Sequence, residues 1–316
     1  MQIFFIGELV GLPTLNSILE KFDIKSNSQQ INYKKICKSL TVSKLSKIFE
    51  YIFEHEVSKE MIELSQKDSS IWSKELVTVV LDDSIFRQWL EQGLVKQGLD
   101  EYYGKYFSGQ FGTAVYGYKV VTLGVCINGI LYPLYFDFAK KGEKSTSPNS
   151  IKNPDRAIVV AQKLVKKWGS LVENIKKQGI KLPDIHMSCD SGYNDIVLAQ
   201  ICEDNHLIYI SVPKKSHCIE IEGKKSKLSE LVEKEFIPLE KQHQQQQQYL
   251  PDAEKTAFTW RFRAKYLCKD QTVTFLAFRL NGSKKVSIIF SIDKKIFAKT
   301  LRRHWAVRRC DSADLY

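Results

Sequence analysis

The sequence predicts an α/β fold built on a mixed sheet, with a helical region before it and a mainly β insertion late in the chain. Three observations carry that expectation. A β-branched run, Leu76-Val77-Thr78-Val79-Val80-Leu81, leads into Asp82-Asp83-Ser84. Two apolar stretches, 118–127 and 130–139, flank Asn128-Gly129, the dipeptide of a two-residue turn that needs φ > 0 at both positions. A long amphipathic pattern then precedes two further short strands. With 316 residues, 43% of them hydrophobic and 26% charged, the chain has length for two domains and enough apolar residues for a buried core.

Residues 1–75 read as helical and polar. A short amphipathic stretch spans Leu12 to Leu19, and Ile36, Leu40, Leu45, Ile48, Phe49, Ile52 and Phe53 recur at three- and four-residue steps among lysines and glutamates. This region is expected to pack as a helical subdomain and is a candidate DNA contact. The first strand, from residue 76, is expected to stop at Asp82, and the stretches 118–127 and 130–139 to continue as an antiparallel meander. Residues 154–179 read as one helix, capped near Asn153 or Asp155, with Ile158, Leu164, Val165, Trp168, Leu171, Val172 and Ile175 on its apolar face. A strand at 185–189 runs into Asp190-Ser191-Gly192-Tyr193, a short helix follows over 194–204, and a strand at 207–212 is closed by Pro213. The order β-β-β-α-β-α-β is that of a ribonuclease-H-like fold, in which the first and fourth strands lie side by side at the centre of the sheet.

From Lys214 the pattern breaks into a polar excursion in which Gln242 through Gln248 is expected to form a flexible loop. Strands resume at 259–267 and 272–280, and Asn281-Gly282 turns into 286–292. A final helix is expected over 294–309, with Ile296, Phe297, Leu301, Trp305 and Val307 on one face and many basic residues around them. The domain reading is therefore a helical region 1–75, a core made of 76–213 and 286–316, and a mainly β insertion 214–285 with a Gln-rich loop.

Lysine and arginine number 47 against 36 acidic residues, a net charge of +11, so polyanions lead the expected partners: nucleic acid, or an anionic membrane surface. No run of about 18 apolar residues occurs, which excludes a membrane-spanning helix, and the apolar start lacks the basic flank of a secretory signal. Seven cysteines without a C-x-x-C pair argue against a zinc ribbon or disulfide framework and for a reducing cytoplasm. Ser84 and the histidines at 55, 186, 206, 217, 243 and 304 show neither a nucleophile elbow nor zinc spacing.

Asp82 and Asp190 each follow an apolar strand, and in the expected topology those strand tips are neighbours. Two converging carboxylates suit Mg²⁺ (or Mn²⁺), which takes hard oxygen ligands and keeps waters that a phosphate replaces. Asp83 is a weaker candidate ligand. The plainer reading of each acid is a turn or helix-cap residue. Between them, Gly104 to Gly117 with Tyr102, Tyr103, Tyr106, Phe107, Phe111, Tyr116 and Tyr118 reads as a folded Ω-type loop; stacking on unpaired bases is the alternative.

Val79-Val80-Leu81-Asp82-Asp83-Ser84 and Met187-Ser188-Cys189-Asp190-Ser191-Gly192-Tyr193 resemble the first two acid motifs of bacterial insertion-sequence transposases of the DDE type. The subgroup is the one with a β-stranded insertion before the last acid, and the likeness runs from about Leu76 to Val307. It implies that Asp82 and Asp190 are catalytic and hold metal, with two Mg²⁺ or Mn²⁺ ions in an intact relative. It implies phosphodiester hydrolysis at element ends followed by strand transfer to target DNA. It also implies a homodimer in the transposition complex and residence in the bacterial cytoplasm, at the nucleoid when bound to DNA. Lys294, Lys295, Lys299, Arg302 and Arg303 are the expected DNA contacts.

One position departs from the family. The third acid is a glutamate in a context like Arg-Trp-x-Ile/Val-Glu; here Arg303-His304-Trp305-Ala306-Val307 is followed by Arg308. Guanidinium in place of carboxylate puts a cation beside a metal site. The expectation is a reading frame altered near codon 307 or 308, leaving a truncated transposase that binds DNA without joining it. The competing readings are a non-catalytic DNA-binding remnant and a ribonuclease-H-like nuclease without strand transfer.

Overall fold

The computed structural model describes residues 42–67, 77–87, 102–108, 112–140, 156–182, 185–214, 216–248, 257–266, 272–279 and 283–307. The expected stretch at 12–19, the caps at Asn153 or Asp155, the Asn281-Gly282 turn and Arg308 lie outside them. The chain divides into two compact units, Met1–His55 and Glu56–Tyr316. The described part of the first is the beginning of helix α1 (Val42–Gln66). All that follows concerns the second unit.

Its strands are β1 (Val77–Arg87), β2 (Tyr103–Ser108), β3 (Thr113–Ile127), β4 (Ile130–Phe138), β5 (Ile185–Cys189) and β6 (Leu207–Ser211), then β7 (Cys218–Ile221), β8 (Lys224–Lys227), β9 (Thr259–Lys265), β10 (Thr272–Arg279) and β11 (Val286–Ser291). Its helices are α2 (Arg156–Lys176), α3 (Ile196–Asp204), α4 (Leu228–Leu231), α5 (Ile237–Gln247) and α6 (Ala298–Val307). The result is a mixed α/β fold on one 11-stranded sheet, ordered β2-β3-β1-β5-β6-β11-β10-β9-β7-β8 with β4 beside β3. At its centre the first strand lies between an antiparallel and a parallel neighbour, as the sequence predicts.

The centre of the sheet follows from the β-branched runs. β1 pairs antiparallel with β3 on one side and parallel with β5 on the other, and β5 pairs parallel with β6. Parallel strands covered on both faces need near-continuous apolar sequence. Val79, Leu81, Met187, Cys189, Tyr209 and Ile210 supply it, all fully buried. Asn128 (φ 52) and Gly129 (φ 82) make the positive-φ turn between β3 and β4.

Helix α2 lays Ala161, Leu164, Val165, Trp168, Val172 and Ile175 into the core. Its Gly169 permits a close approach of α3: a Cβ there would collide with the Asn205 side chain. Helix α6 covers the other face, where Leu301 and Trp305 join Ile210, Leu276, Phe278, Ile289 and Ile296 in one apolar cluster.

Several elements differ from expectation. β1 does not stop at Asp82 but continues to Arg87, because the long β3 supplies an unbroken antiparallel partner from Val77↔Ile127 to Arg87↔Gly117. Tyr103–Ser108 and Thr113–Tyr118 form paired strands, not an Ω-type loop. Their closely spaced tyrosines favour a pleated surface. The segment after Lys214 is more ordered than its polarity suggests. Glu222 (φ 49) and Gly223 (φ 79) close a β7–β8 hairpin, and β9–β11 extend the same sheet as the core.

The Gln-rich tract is helical through Gln247, in α5, and not a loop. Glutamine is a good helix former, and an upstream anchor holds the helix down. That anchor is Glu240, buried, which accepts two hydrogen bonds from Arg279, from Nε at 2.9 Å and from Nη2 at 2.7 Å. Such fork-to-fork pairs fix geometry as well as energy. Just before α5, Val232–Phe236 adopts a π turn. Pro238 lacks an N–H and crowds the preceding turn, and a local π adjustment accommodates it. The final helix is shorter than expected among the described residues, beginning at Ala298.

Candidate functional site: a carboxylate pair at the tips of two parallel strands

The parallel register of β1 and β5 runs Thr78↔His186, Val79↔Met187, Val80↔Ser188 and Leu81↔Cys189. The next residue on each strand is an aspartate, Asp82 and Asp190. Adjacent strands lie about 4.8 Å apart, so the two acids start from neighbouring backbone positions. Side chains alternate along a strand. Thr78 meets His304 of α6 and Val80 meets Val307, so Asp82, next in the alternation, points to the face covered by α6. Asp190 keeps an extended backbone (φ −84, ψ −178), which carries the alternation one residue further and sends its side chain to that face as well. Asp82 is exposed and Asp190 half-buried.

Local hydrogen bonds hold both acids. Oδ1 of Asp190 accepts from Gly192 N at 2.7 Å, capping the turn Ser191–Tyr193. A Cβ on Gly192 would meet that oxygen at 3.0 Å, so the close turn favours glycine. Oδ2 of Asp190 has no hydrogen-bond partner among the described residues. The Asp190 carbonyl accepts from Ser211 Oγ at 2.8 Å, tying the turn to the end of β6. Asp82 Oδ1 accepts from Asp83 N at 2.9 Å.

Asp83 is placed differently. Alternation turns it to the opposite face, where its Oδ2 accepts from the Tyr193 hydroxyl at 2.9 Å and pairs with Lys119 Nζ at 3.1 Å. It braces β1 against the Asp190 turn from behind instead of sharing a face with the other two acids. Tyr193 is the residue that sequence reasoning missed, 110 positions from Asp83. Burial first, then Asp83, Asp190 and Asp82, push its hydroxyl well above the usual tyrosine range. Its carbonyl in turn accepts from the buried Tyr209 hydroxyl at 2.5 Å. The signal in the sequence was the bare Asp-Ser-Gly-Tyr string, which names no partner.

Helix α6 approaches this face closely. Val307 packs on Val80 and Cys126, one pleat along β1 from Asp82. One turn earlier, the buried His304 has Nδ1 2.7 Å from Thr78 Oγ1 and stacks on His186 with ring centroids 4.0 Å apart. Burial, then the charges of His186 and Arg303, lower His304 to about 2. The imidazole is therefore neutral when folded, while the unfolded chain protonates it below about pH 6.5. The unfolded state then binds the extra proton, so stability is complete above that pH and falls as pH drops below it, by up to about 1.4 kcal/mol per unit. Urea midpoints at pH 7 and pH 5 check this. His304→Gln should show a shallower loss than the unsubstituted chain, and equal slopes would contradict the assignment.

The expected DNA contacts fall into two groups by exposure. Lys294, Lys295 and Lys299 are exposed. Arg302 and Arg303 are half-buried, and Arg302 stacks over Phe278 at 5.2 Å. Two basic residues on β9, Arg261 and Arg263, were not singled out from sequence. Both are exposed and donate to the Lys294 carbonyl, at 3.3 and 2.8 Å, so a basic surface joins β9 to the start of α6. No helix among the described residues is long and apolar enough to cross a membrane.

The donor chemistry suits a hard divalent cation: two carboxylates on neighbouring strand tips, one of them exposed. Among the described residues no group of three or more His, Cys, Asp or Glu side chains is gathered for a metal.

Fold and site together define a class, a mixed α/β protein with a carboxylate pair at adjacent parallel strand ends. Comparison with known proteins goes little further. No family model matches the chain, and no curated protein matches it. Among solved structures it is similar to a piggyBac transposase synaptic complex with hairpin DNA, at 12% identity and TM-score 0.35, covering 75% of this chain and 38% of that one. It is also similar to a variant of Ciona intestinalis endonuclease V in complex with inosine-containing DNA, at 12% identity and TM-score 0.33, covering 83% and 87%. The chain thus spans 38% of the transposase chain it matches. Both likenesses are remote, and neither bears on the site residues.

Proposed function

We propose that the chain is a ribonuclease-H-like DNA-processing protein, a DDE-type transposase chain of an insertion sequence, in which Asp82 and Asp190 hold Mg²⁺ or Mn²⁺. One observation carries this reading: the β1–β5 register ends at Leu81↔Cys189, with an aspartate next on each strand. When bound, such an ion stabilises charge on a phosphodiester and activates an attacking oxygen. The chain's own residues contribute position. Tyr193 and Lys119 fix β1 through Asp83, Gly192 and Ser211 fix the Asp190 turn, and the packing of Val307 on Val80 brings α6 to the same face. The exposed Lys294, Lys295 and Lys299 and the net charge of +11 suit a phosphate backbone. Protein of this kind acts on DNA in the bacterial cytoplasm, as a homodimer when two element ends are brought together.

Arg308 stands where the family has its third acid, and a guanidinium there opposes a second metal ion. The expected outcome is DNA binding without strand joining. Duplex carrying the element end, a labelled 3′-hydroxyl and Mg²⁺ test it. Binding should weaken steeply between low and moderate salt, since each neutralised phosphate adds about one unit of slope in log affinity against log salt. Salt-independent binding would contradict the DNA assignment. Joined product that disappears in Asp82→Ala would contradict the argument from Arg308.

A further inference from the structure

The β2–β3 hairpin extends the sheet beyond the acids and carries a surface that the site does not use. In the β1–β3 register Asp82 pairs with Thr122, Ser84 with Val120 and Phe86 with Tyr118. Even-numbered positions of β3 therefore share the Asp82 face, and Tyr116 and Tyr118 are among them. Across the hairpin, Tyr103 pairs with Tyr118 and Lys105 with Tyr116, so these two share the face as well. Tyr116 is 56% exposed. Its ring stacks beside Tyr103, with centroids 6.1 Å apart and planes 21° from parallel, and Lys105 Nζ sits 5.8 Å from its centre. Beneath them Tyr118 is only 6% exposed and packs edge-on to Tyr103 at 5.5 Å. Its hydroxyl is buried without a hydrogen-bond partner among the described residues.

We infer that this hairpin is a stacking platform for an unpaired base of a single-stranded nucleic acid. The base would lie on Tyr116 beside Tyr103, and the backbone phosphate would meet Lys105. Aromatic faces accept any base, and a lysine at the rim supplies the charge a phosphate seeks. Tyr116 lies six residues along β3 from Thr122, about 20 Å at about 3.4 Å per residue, on the same face as Asp82. One strand can then touch the platform while phosphates several nucleotides along it approach the acids. That last link rests on the proposed function; the platform does not.

The test uses a short oligothymidylate with one 2-aminopurine, read by fluorescence quenching and anisotropy, beside duplex DNA and a Mn²⁺ titration. Tyr116→Ala, at an exposed position, is expected to weaken single-strand binding roughly tenfold and abolish the quenching, while Tyr116→Phe retains both. Duplex and Mn²⁺ binding should stay unchanged in both variants. Tyr118→Phe, whose lost hydroxyl lies buried beneath the platform, should leave single-strand affinity unchanged. Equal single-strand affinity in the unsubstituted chain and Tyr116→Ala would overturn the platform, as would absent quenching. Loss of affinity in Tyr116→Ala in a chain that binds no Mn²⁺ would support the platform and count against the metal reading alone.

Discussion

Trp305→Ala is expected to destabilise the second unit by about 3–5 kcal/mol, against a total stability of about 5–15 kcal/mol for a typical domain. Trp305 is 3% exposed and meets Phe278 edge-on with centroids 5.6 Å apart. With Leu301 and Ile296 it forms the apolar seam that fastens α6 to Ile210, Leu276 and Ile289, on β6, β10 and β11. Truncation removes the transfer free energy of the indole and leaves a cavity among strands that cannot all collapse into it. The consequence reaches the site. α6 carries His304 against Thr78 and Val307 against Val80, so a loosened seam frees the helix from the face that bears Asp82. A urea melt should show a much lower midpoint at unchanged slope. A variant within about 1 kcal/mol of the unsubstituted chain would mean that the seam is not a principal anchor.

Asp82→Asn and Asp190→Asn are expected each to reduce divalent-cation affinity by about a hundredfold or more, and the double substitution to cost little beyond either one. An ion shared by two carboxylates loses most of its binding when one becomes a neutral amide, since charge and hard oxygen ligation go together. Residues that act as a unit give such non-additive losses. Stability should hardly move, because Asp82 is exposed and the amide oxygen left by Asp190→Asn can still accept from Gly192. Asp83→Asn makes the informative contrast. Its carboxylate faces Tyr193 and Lys119 on the other side of β1, so it should lower stability while leaving most of the cation affinity. Isothermal titration with Mn²⁺ beside thermal melts separates the two effects. Additive losses from Asp82 and Asp190 would indicate two independent weak sites.

Much of the centre of this fold was legible because its physics is local. Runs of β-branched residues without polar interruption describe strands buried on both faces, and Asn128-Gly129 describes a turn that few other dipeptides make. The acids were legible as a pair only because two such runs end one residue before an aspartate. Other features depend on partners far away in sequence. β1 passes Asp82 because β3 lies beside it, and an acidic pair alone reads as a stop. The hairpin of Tyr103–Ser108 lacks an Asn-Gly or Asp-Gly signal. The Gln tract has no amphipathic period, and its helix is held by Glu240 and Arg279, 39 positions apart. Asp82 and Asp83 look equivalent in sequence, and only the strand pleat together with Tyr193 and Lys119 assigns them to opposite faces.

In the proposed function, Asp82 and Asp190 share one cation on the α6 face of the sheet. Anomalous diffraction from crystals soaked in Mn²⁺ tests it most directly. The predicted result is a single strong peak between the two carboxylates, about 2.0–2.2 Å from an oxygen of each and lost in Asp190→Asn. Mn²⁺ bound elsewhere with this position empty, or the two side chains found on opposite faces of the sheet, would contradict it.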